Sequence, residues 1–277
     1  MRRFRAGWEL TKKSWRLLRE HRSLLRFPLY SALAAALILI VIALPGAYLI
    51  DAKVSTVGGA VLAAVGIYIA IFIGYYFSVG LVATADAIFH GREATMADGL
   101  AVSRSRVGAI AGWALVSVVV GAIFAAIENI RGLGPILAGL MNAAWSLITF
   151  LAVPVIALEG TGPVETVKRS ASLFRERWAG QVTGNVAIGG IVFLVGLLPA
   201  IVLVVVGGVL WSANGNGEEI AAGAVLVALG VFIGVLALLV MRALGGIFGV
   251  ALYRYAAEGE PTGGFTAEEL ESAVRTR

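Results

Sequence analysis

The sequence predicts an all-α membrane protein with six transmembrane helices arranged as three hairpins, each preceded by an amphipathic helix on the cytoplasmic side. Three observations carry this reading. Hydrophobic residues make up 59% of the chain and charged residues 14%, against roughly 45–50% and 25% in soluble domains. Six long runs are almost free of charge, and about 20 apolar residues suffice to cross a hydrocarbon core of about 30 Å. Basic residues concentrate in alternate connections, the pattern of loops retained in the cytoplasm.

The runs are Pro28 to Ile50, Val57 to Phe89, Val107 to Ile127, Gly134 to Leu158, Gln181 to Trp211 and Ile220 to Leu252. Those longer than a bilayer needs must tilt, kink as at Pro199, or continue beyond the membrane as ordinary helix. Nine Lys or Arg residues precede the first run, three lie in 90–106, four in 159–180 and four from Arg242 onward, while the other three connections hold one, one and none. That asymmetry predicts cytoplasmic termini in a multi-pass protein of a prokaryotic inner membrane. The basic segment before the first run is too long for a signal peptide, so this span is expected to be retained. Residues 1–277 read as a single polytopic domain, with 1–27 an interfacial helix and 253–277 a tail bearing a short helix. The chain has no cysteine, which excludes disulfides, thiolate metal sites and cysteine nucleophiles.

At 100° per residue, Arg5, Lys12, Lys13, Arg16 and Arg19 fall in one wedge of the N-terminal helix, with Glu9 and Glu20. Phe4, Trp8, Trp15, Leu18, Leu24 and Leu25 fall on the remaining arc, the side expected to meet acyl chains. A nucleic-acid arm does not need that apolar arc, and no nucleic-acid partner is expected. A helix in the headgroup layer needs both faces, so anionic lipid is the expected contact of the five cations. The alternative is that they only obey the positive-inside rule.

A degenerate repeat follows each even-numbered span: His90-Gly91, Glu159-Gly160 and Glu258-Gly259 each precede a polar turn and an amphipathic segment. Glycine in that place predicts a left-handed helix cap. Thr266 and Glu269 have the spacing of a capping box. Small residues at Gly66, Ala70, Gly74 and Ser78, and the pairs Gly108/Gly112, Gly230/Gly234 and Gly245/Gly249, predict close helix packing, mostly within one protomer.

The stretches "YYFSVGLVATADAIFHG", "DGLAVSRSRVGAIAGWALVSVVVGAI" and "AWSLITFLAVPVIALEGTGPVETVKRSASLFRERW", with the N-terminal "GWELTKKSWRLLREHRSLLRFPLYS", resemble the blocks of a prokaryotic membrane family, domain of unknown function 6159. More remotely, the layout resembles the membrane domain that accompanies some glycerophosphodiesterases, without their catalytic domain. The resemblance implies a six-helix inner-membrane protein and brings no catalytic residues with it.

Motifs for zinc, serine or nucleotide hydrolysis are absent, and no metal or other cofactor is expected. "DGLAVSR" begins like the Asp-Gly-x-x-Ala-Arg of phospholipid head-group transferases, but Ala-Arg is not in place and the downstream aspartates are missing. Polar groups at membrane depth are the better candidates. Asn142, Ser146 and Thr149 share a face of the fourth span, as a polar pathway or as interhelical glue. Asp86, His90 and Arg254 are a candidate ion pair at the cytoplasmic end. Arg242 reaches the interface if the sixth span ends at Met241, and becomes a cation inside the bundle if the membrane covers later residues. The expected function is a non-catalytic module engaging lipid, a second copy or another membrane protein. A small-solute transporter or channel is the alternative.

Overall fold

A computed structural model describes residues 13–178, 193–212, 217–268 and 270, and all regular structure among them is helical. A helix over 13–20 (α1) leads into the first span, Arg22–Asp51 (α2). Thr56–Phe89 (α3) is the second span, Met96–Ser105 (α4) a short helix, and Val107–Glu128 (α5) the third span. The fourth is split into Gly134–Ile148 (α6) and Ala152–Leu158 (α7), followed by Pro163–Trp178 (α8). Leu198–Ser212 (α9) belongs to the fifth span and Gly217–Glu258 (α10) contains the sixth. Among the described residues, six helices are therefore long and apolar enough to cross a membrane, compatible with a multi-pass membrane protein. The first begins at Arg22 and the sixth runs to Glu258, beyond the apolar runs at both ends. No Gly or Pro interrupts 22–27 or 253–258, so nothing stops the helix where hydrophobicity fades. The expected start of the fifth span at 181–192 lies outside the described residues.

Prolines shape the spans by a common mechanism. A proline has no N–H and its ring crowds the carbonyl four residues back. Pro45 and Pro199 each follow a π-helical turn, Leu39–Ala43 and Phe193–Leu197, which accommodates that carbonyl. Pro154 leaves the Phe150 carbonyl without its helical donor, and the fourth span opens over 149–151. The Leu151 N–H there is taken by the buried Ser170 hydroxyl of α8 at 3.2 Å, which anchors α8 to the side of the bundle.

The molecule has two layers. Toward one end the spans display large exposed apolar side chains, from Leu29 to Ile50 on α2, Val57 to Ile67 on α3, Leu133 to Ile148 around α6, and Ile220 to Leu238 on α10. Toward the other end the same helices are closely covered, with Phe27, Val82, Ile110, Val155, Ile247 and Leu252 fully buried. This junction layer also contains α1, α4, α7 and α8, and buried hydroxyls stitch it together. Ser103 donates to the Tyr76 carbonyl at 2.7 Å and Thr84 to that of Gly80 at 2.9 Å. Gly99 of α4 lies so near Thr84 and Gly80 that a Cβ would stand 2.2 Å from the Thr84 hydroxyl.

The three junction glycines take left-handed conformations, with φ of +69° at Gly91, +71° at Gly160 and +81° at Gly259, as their place after a helix predicts. Glu269, the residue expected to complete a box with Thr266, lies outside the described residues. A capping box is instead present at Thr95, whose N–H and hydroxyl donate to the Asp98 carboxylate at 2.9 and 2.7 Å. The Thr95 hydroxyl first, then its N–H, hold Asp98 below its ordinary pKa of 3.8. A carboxylate with a lowered folded-state pKa contributes stability above the unfolded value and loses it as pH falls through the folded one. Amide protection in the first turn of α4 is accordingly expected to hold down to about that ordinary value and then decline. Asp98→Asn should weaken protection there at neutral pH, as read by hydrogen exchange.

Among the small residues, Gly66 packs on the Ala43 backbone of α2 and Gly230 on the Ala200 carbonyl of α9, while Gly112 meets Pro163. Gly74, Gly108 and Gly245 face open space, so these members of the predicted stripes do not mediate helix contacts among the described residues. Closer approaches join glycines of different spans. Gly46 meets Gly59, and Gly207 meets Gly223, with a Cβ on any of the four less than 3 Å from opposing backbone.

Candidate functional site

The junction layer contains two carboxylates held by neighbouring residues of α10. Consecutive helix positions point about 100° apart, so Tyr253 and Arg254 reach different partners. Arg254 forks onto Asp86 of α3, Nε to Oδ1 at 2.7 Å and Nη2 to Oδ2 at 2.8 Å, and its Nη1 also donates to Glu258. The Asp86 side chain is only 6% exposed. Such planar bidentate pairing is among the stronger charge-assisted geometries. Tyr253 donates its hydroxyl to Glu159 Oε1 at 2.7 Å, and Arg169 of α8 donates Nε to the same oxygen at 2.8 Å. That bond to Glu159 raises the Arg169 pKa, with burial opposing it, so the guanidinium stays charged. One short stretch of α10 thus ties down the ends of α3 and α7 and the side of α8.

Of the residues expected in the ion pair, Asp86 and Arg254 meet directly. His90 turns its Nδ1 to the Asp86 backbone carbonyl at 2.7 Å, which requires the proton on Nδ1, and stands 3.8 Å from the carboxylate. The ring caps the end of α3 and leaves the fork to Arg254. Tyr253 and Arg169 were not singled out in the sequence reading. Their only advance signal is adjacency, Tyr253 beside Arg254 and Arg169 in the helix after Glu159. Both carboxylates are occupied by donors, which suits holding helices together. Among the described residues no group of three His, Asp or Glu side chains could hold a metal ion.

Among the expected lipid contacts, Arg5 and Lys12 lie outside the described residues. Lys13 donates Nζ to the Gly264 carbonyl at 2.9 Å, joining the two ends of the chain. Arg16 and Arg19 are exposed, as are Trp15, Arg22 and Arg26. Leu18 and Leu24 are buried in the protein's own core. The apolar arc therefore divides: its leucines pack on the bundle, and Trp15 stays outward.

On the fourth span, Asn142 and Ser146 are exposed and Thr149 is half-buried, its hydroxyl donating to the Trp145 carbonyl at 2.7 Å. Trp145 stacks on Trp113 at 6.1 Å. None of the three polar residues lines a partly open crevice of about 750 Å³ elsewhere in the bundle.

That crevice is bordered by α2, α3 and α10, with Phe150, Val153 and Pro154 from the broken fourth span and Ser117 from the third. Arg242 lines it and is exposed. Twelve residues separate Arg242 from Arg254 on α10, about 18 Å along a helix. Arg242 comes just after Leu238, the last large exposed apolar residue of α10, and just before buried Ala243 and Leu244. It stands where the exposed apolar layer ends and the junction layer begins.

No curated protein and no solved structure matches the chain. A family model does match, over residues 57–264, which leaves out the N-terminal segment, the first span and residues 265–277. It brings no support for the remoter likeness to glycerophosphodiesterase membrane domains. Together with the six apolar helices, this match places the chain in the family of unknown function DUF6159.

Proposed function

We propose that the protein is a non-catalytic membrane module that engages anionic lipid head groups through the junction layer. In this reading the layer and both termini face the cytoplasm of a prokaryotic cell, and the spans form three hairpins, each preceded by an amphipathic helix. The observation that carries it is the rim formed by exposed Trp15, Arg16, Arg19, Arg22 and Arg26, which ends where lipid-facing side chains begin at Leu29 and Tyr30. An indole beside several cations at the edge of an apolar belt suits the boundary between acyl chains and phosphates. Each cation near an anionic leaflet contributes about 1 kcal/mol.

The test is thermal unfolding of the full-length protein in phosphatidylglycerol-rich and in pure phosphatidylcholine nanodiscs. The wild type is expected to melt higher in the anionic discs. The Arg16→Glu/Arg19→Glu variant should lose most of that increment, and added salt should shrink it by screening. Equal melting of wild type and variant in both lipids would remove the basis for the reading.

A further inference from the structure

We propose that the crevice beside Arg242 holds one anionic glycerophospholipid, with its phosphate on the guanidinium and an acyl chain along the Gly74 face of α3. A cation at the edge of an apolar space needs a counter-charge or water. Among the described residues nothing supplies one: Asp86 is forked by Arg254, and Glu159 is held by Arg169 and Tyr253. Two of the hydroxyl groups on the lining, Ser117 and Ser78, are engaged. Ser117 donates to the Trp113 carbonyl at 2.9 Å and accepts from Tyr75 at 3.0 Å, and Ser78 donates to the Gly74 carbonyl at 2.8 Å. Arg242 is the charged residue on the lining, and with the Ser31 hydroxyl it is left to bind an anion.

The remaining walls argue for an acyl chain. The crevice is lined by Ala32, Ala35, Ile71, Leu81 and Val153 among others, and its volume of about 750 Å³ falls in the range of roughly 300–1,000 Å³ for ligand sites. Gly74 and Gly245 border it, and a Cβ on either would meet nothing within 4 Å. Leu39, Ile67 and Leu238 line the crevice and also belong to the exposed apolar belt, so a chain has a lateral way in from the bilayer. The guanidinium stands at the end of that belt, the depth at which a lipid's phosphate sits. A soluble anion gains nothing from these walls, whereas an anionic lipid matches both parts.

This site is separate from the rim around Arg16, and the experiment keeps the two apart. Delipidated full-length protein in mild detergent is titrated with phosphatidylglycerol, phosphatidylcholine or inorganic phosphate and followed by native mass spectrometry. The expected result is one tightly bound phosphatidylglycerol in the wild type. Arg242→Gln should weaken it about ten- to hundred-fold, the loss of a charged hydrogen-bonding partner, with Arg242→Lys intermediate. Gly74→Leu, whose Cβ would meet nothing within 4 Å, fills the crevice and should weaken binding similarly and leave unfolding unchanged. Arg16→Glu/Arg19→Glu should bind this lipid as the wild type does. The proposal is overturned if phosphatidylcholine binds equally well, if inorganic phosphate binds as tightly, or if neither Arg242→Gln nor Gly74→Leu alters binding.

Discussion

Arg254→Ala is expected to destabilise the folded protein by about 3–5 kcal/mol, the range for breaking one side of a buried ion pair. The cost comes less from the lost attraction than from what remains. Asp86, 6% exposed, would keep a carboxylate beside His90, which stands 3.8 Å away and is already bonded to the backbone. Arg254→Lys should fall between, because an ammonium restores the charge and not the planar fork. The double variant Asp86→Leu/Arg254→Met should recover much of the loss, since apolar replacement of a whole buried pair is often neutral or stabilising. Reversible unfolding in mixed micelles measures all three. A loss below about 1 kcal/mol for Arg254→Ala, the scale of an exposed ion pair, would show that the fork is solvated and does not hold the junction layer.

Gly46→Leu should be the most damaging substitution in the outer layer. A Cβ at Gly46 would stand 2.5 Å from the Ala63 amide nitrogen and 2.7 Å from the Gly59 carbonyl oxygen. Both obstacles are backbone, so α2 and α3 would have to separate instead of a side chain moving aside. Overpacking of this kind costs about 1–3 kcal/mol, occasionally more, and in a bilayer the lost close packing is itself what drives helix association. Gly74→Leu is the matched control, on the same helix pair but facing the crevice, and should cost little. Comparable destabilisation by the two would mean that the separation of α2 and α3 does not depend on the Gly46–Gly59 contact.

Particular residues show how far the sequence reached. The left-handed glycines at 91, 160 and 259 were legible because a helix cap is decided within a few residues of chain. The second and third spans appear nearly as read, from Thr56 and Val107, because apolar length is also local. The break at 149–151 was missed. Pro154 signalled that a backbone bond would be lost, but the Ser170 hydroxyl that takes the neighbouring Leu151 N–H comes from another helix. Searching for small residues four apart within one span found Gly230 and Gly66 and overlooked Gly46–Gly59, whose partners sit on different spans. The N-terminal leucines were assigned to lipid because periodicity identifies an apolar face and not what covers it; Leu18 and Leu24 are covered by the protein.

By itself, the sequence determined that the chain is helical, which six stretches are apolar enough to span a membrane, where its helix-ending glycines lie, and how its basic residues alternate. These follow from hydrophobicity and backbone sterics over tens of residues or fewer. The sequence already offered Asp86 and Arg254 as partners; tertiary structure alone decided that they fork across 168 positions of chain while His90 turns to the backbone, that Tyr253 and Arg169 share Glu159, and that Arg242 borders a crevice with no carboxylate among its described lining residues. Those contacts depend on the relative placement of helices, which is set by packing among many side chains at once and which no local pattern contains.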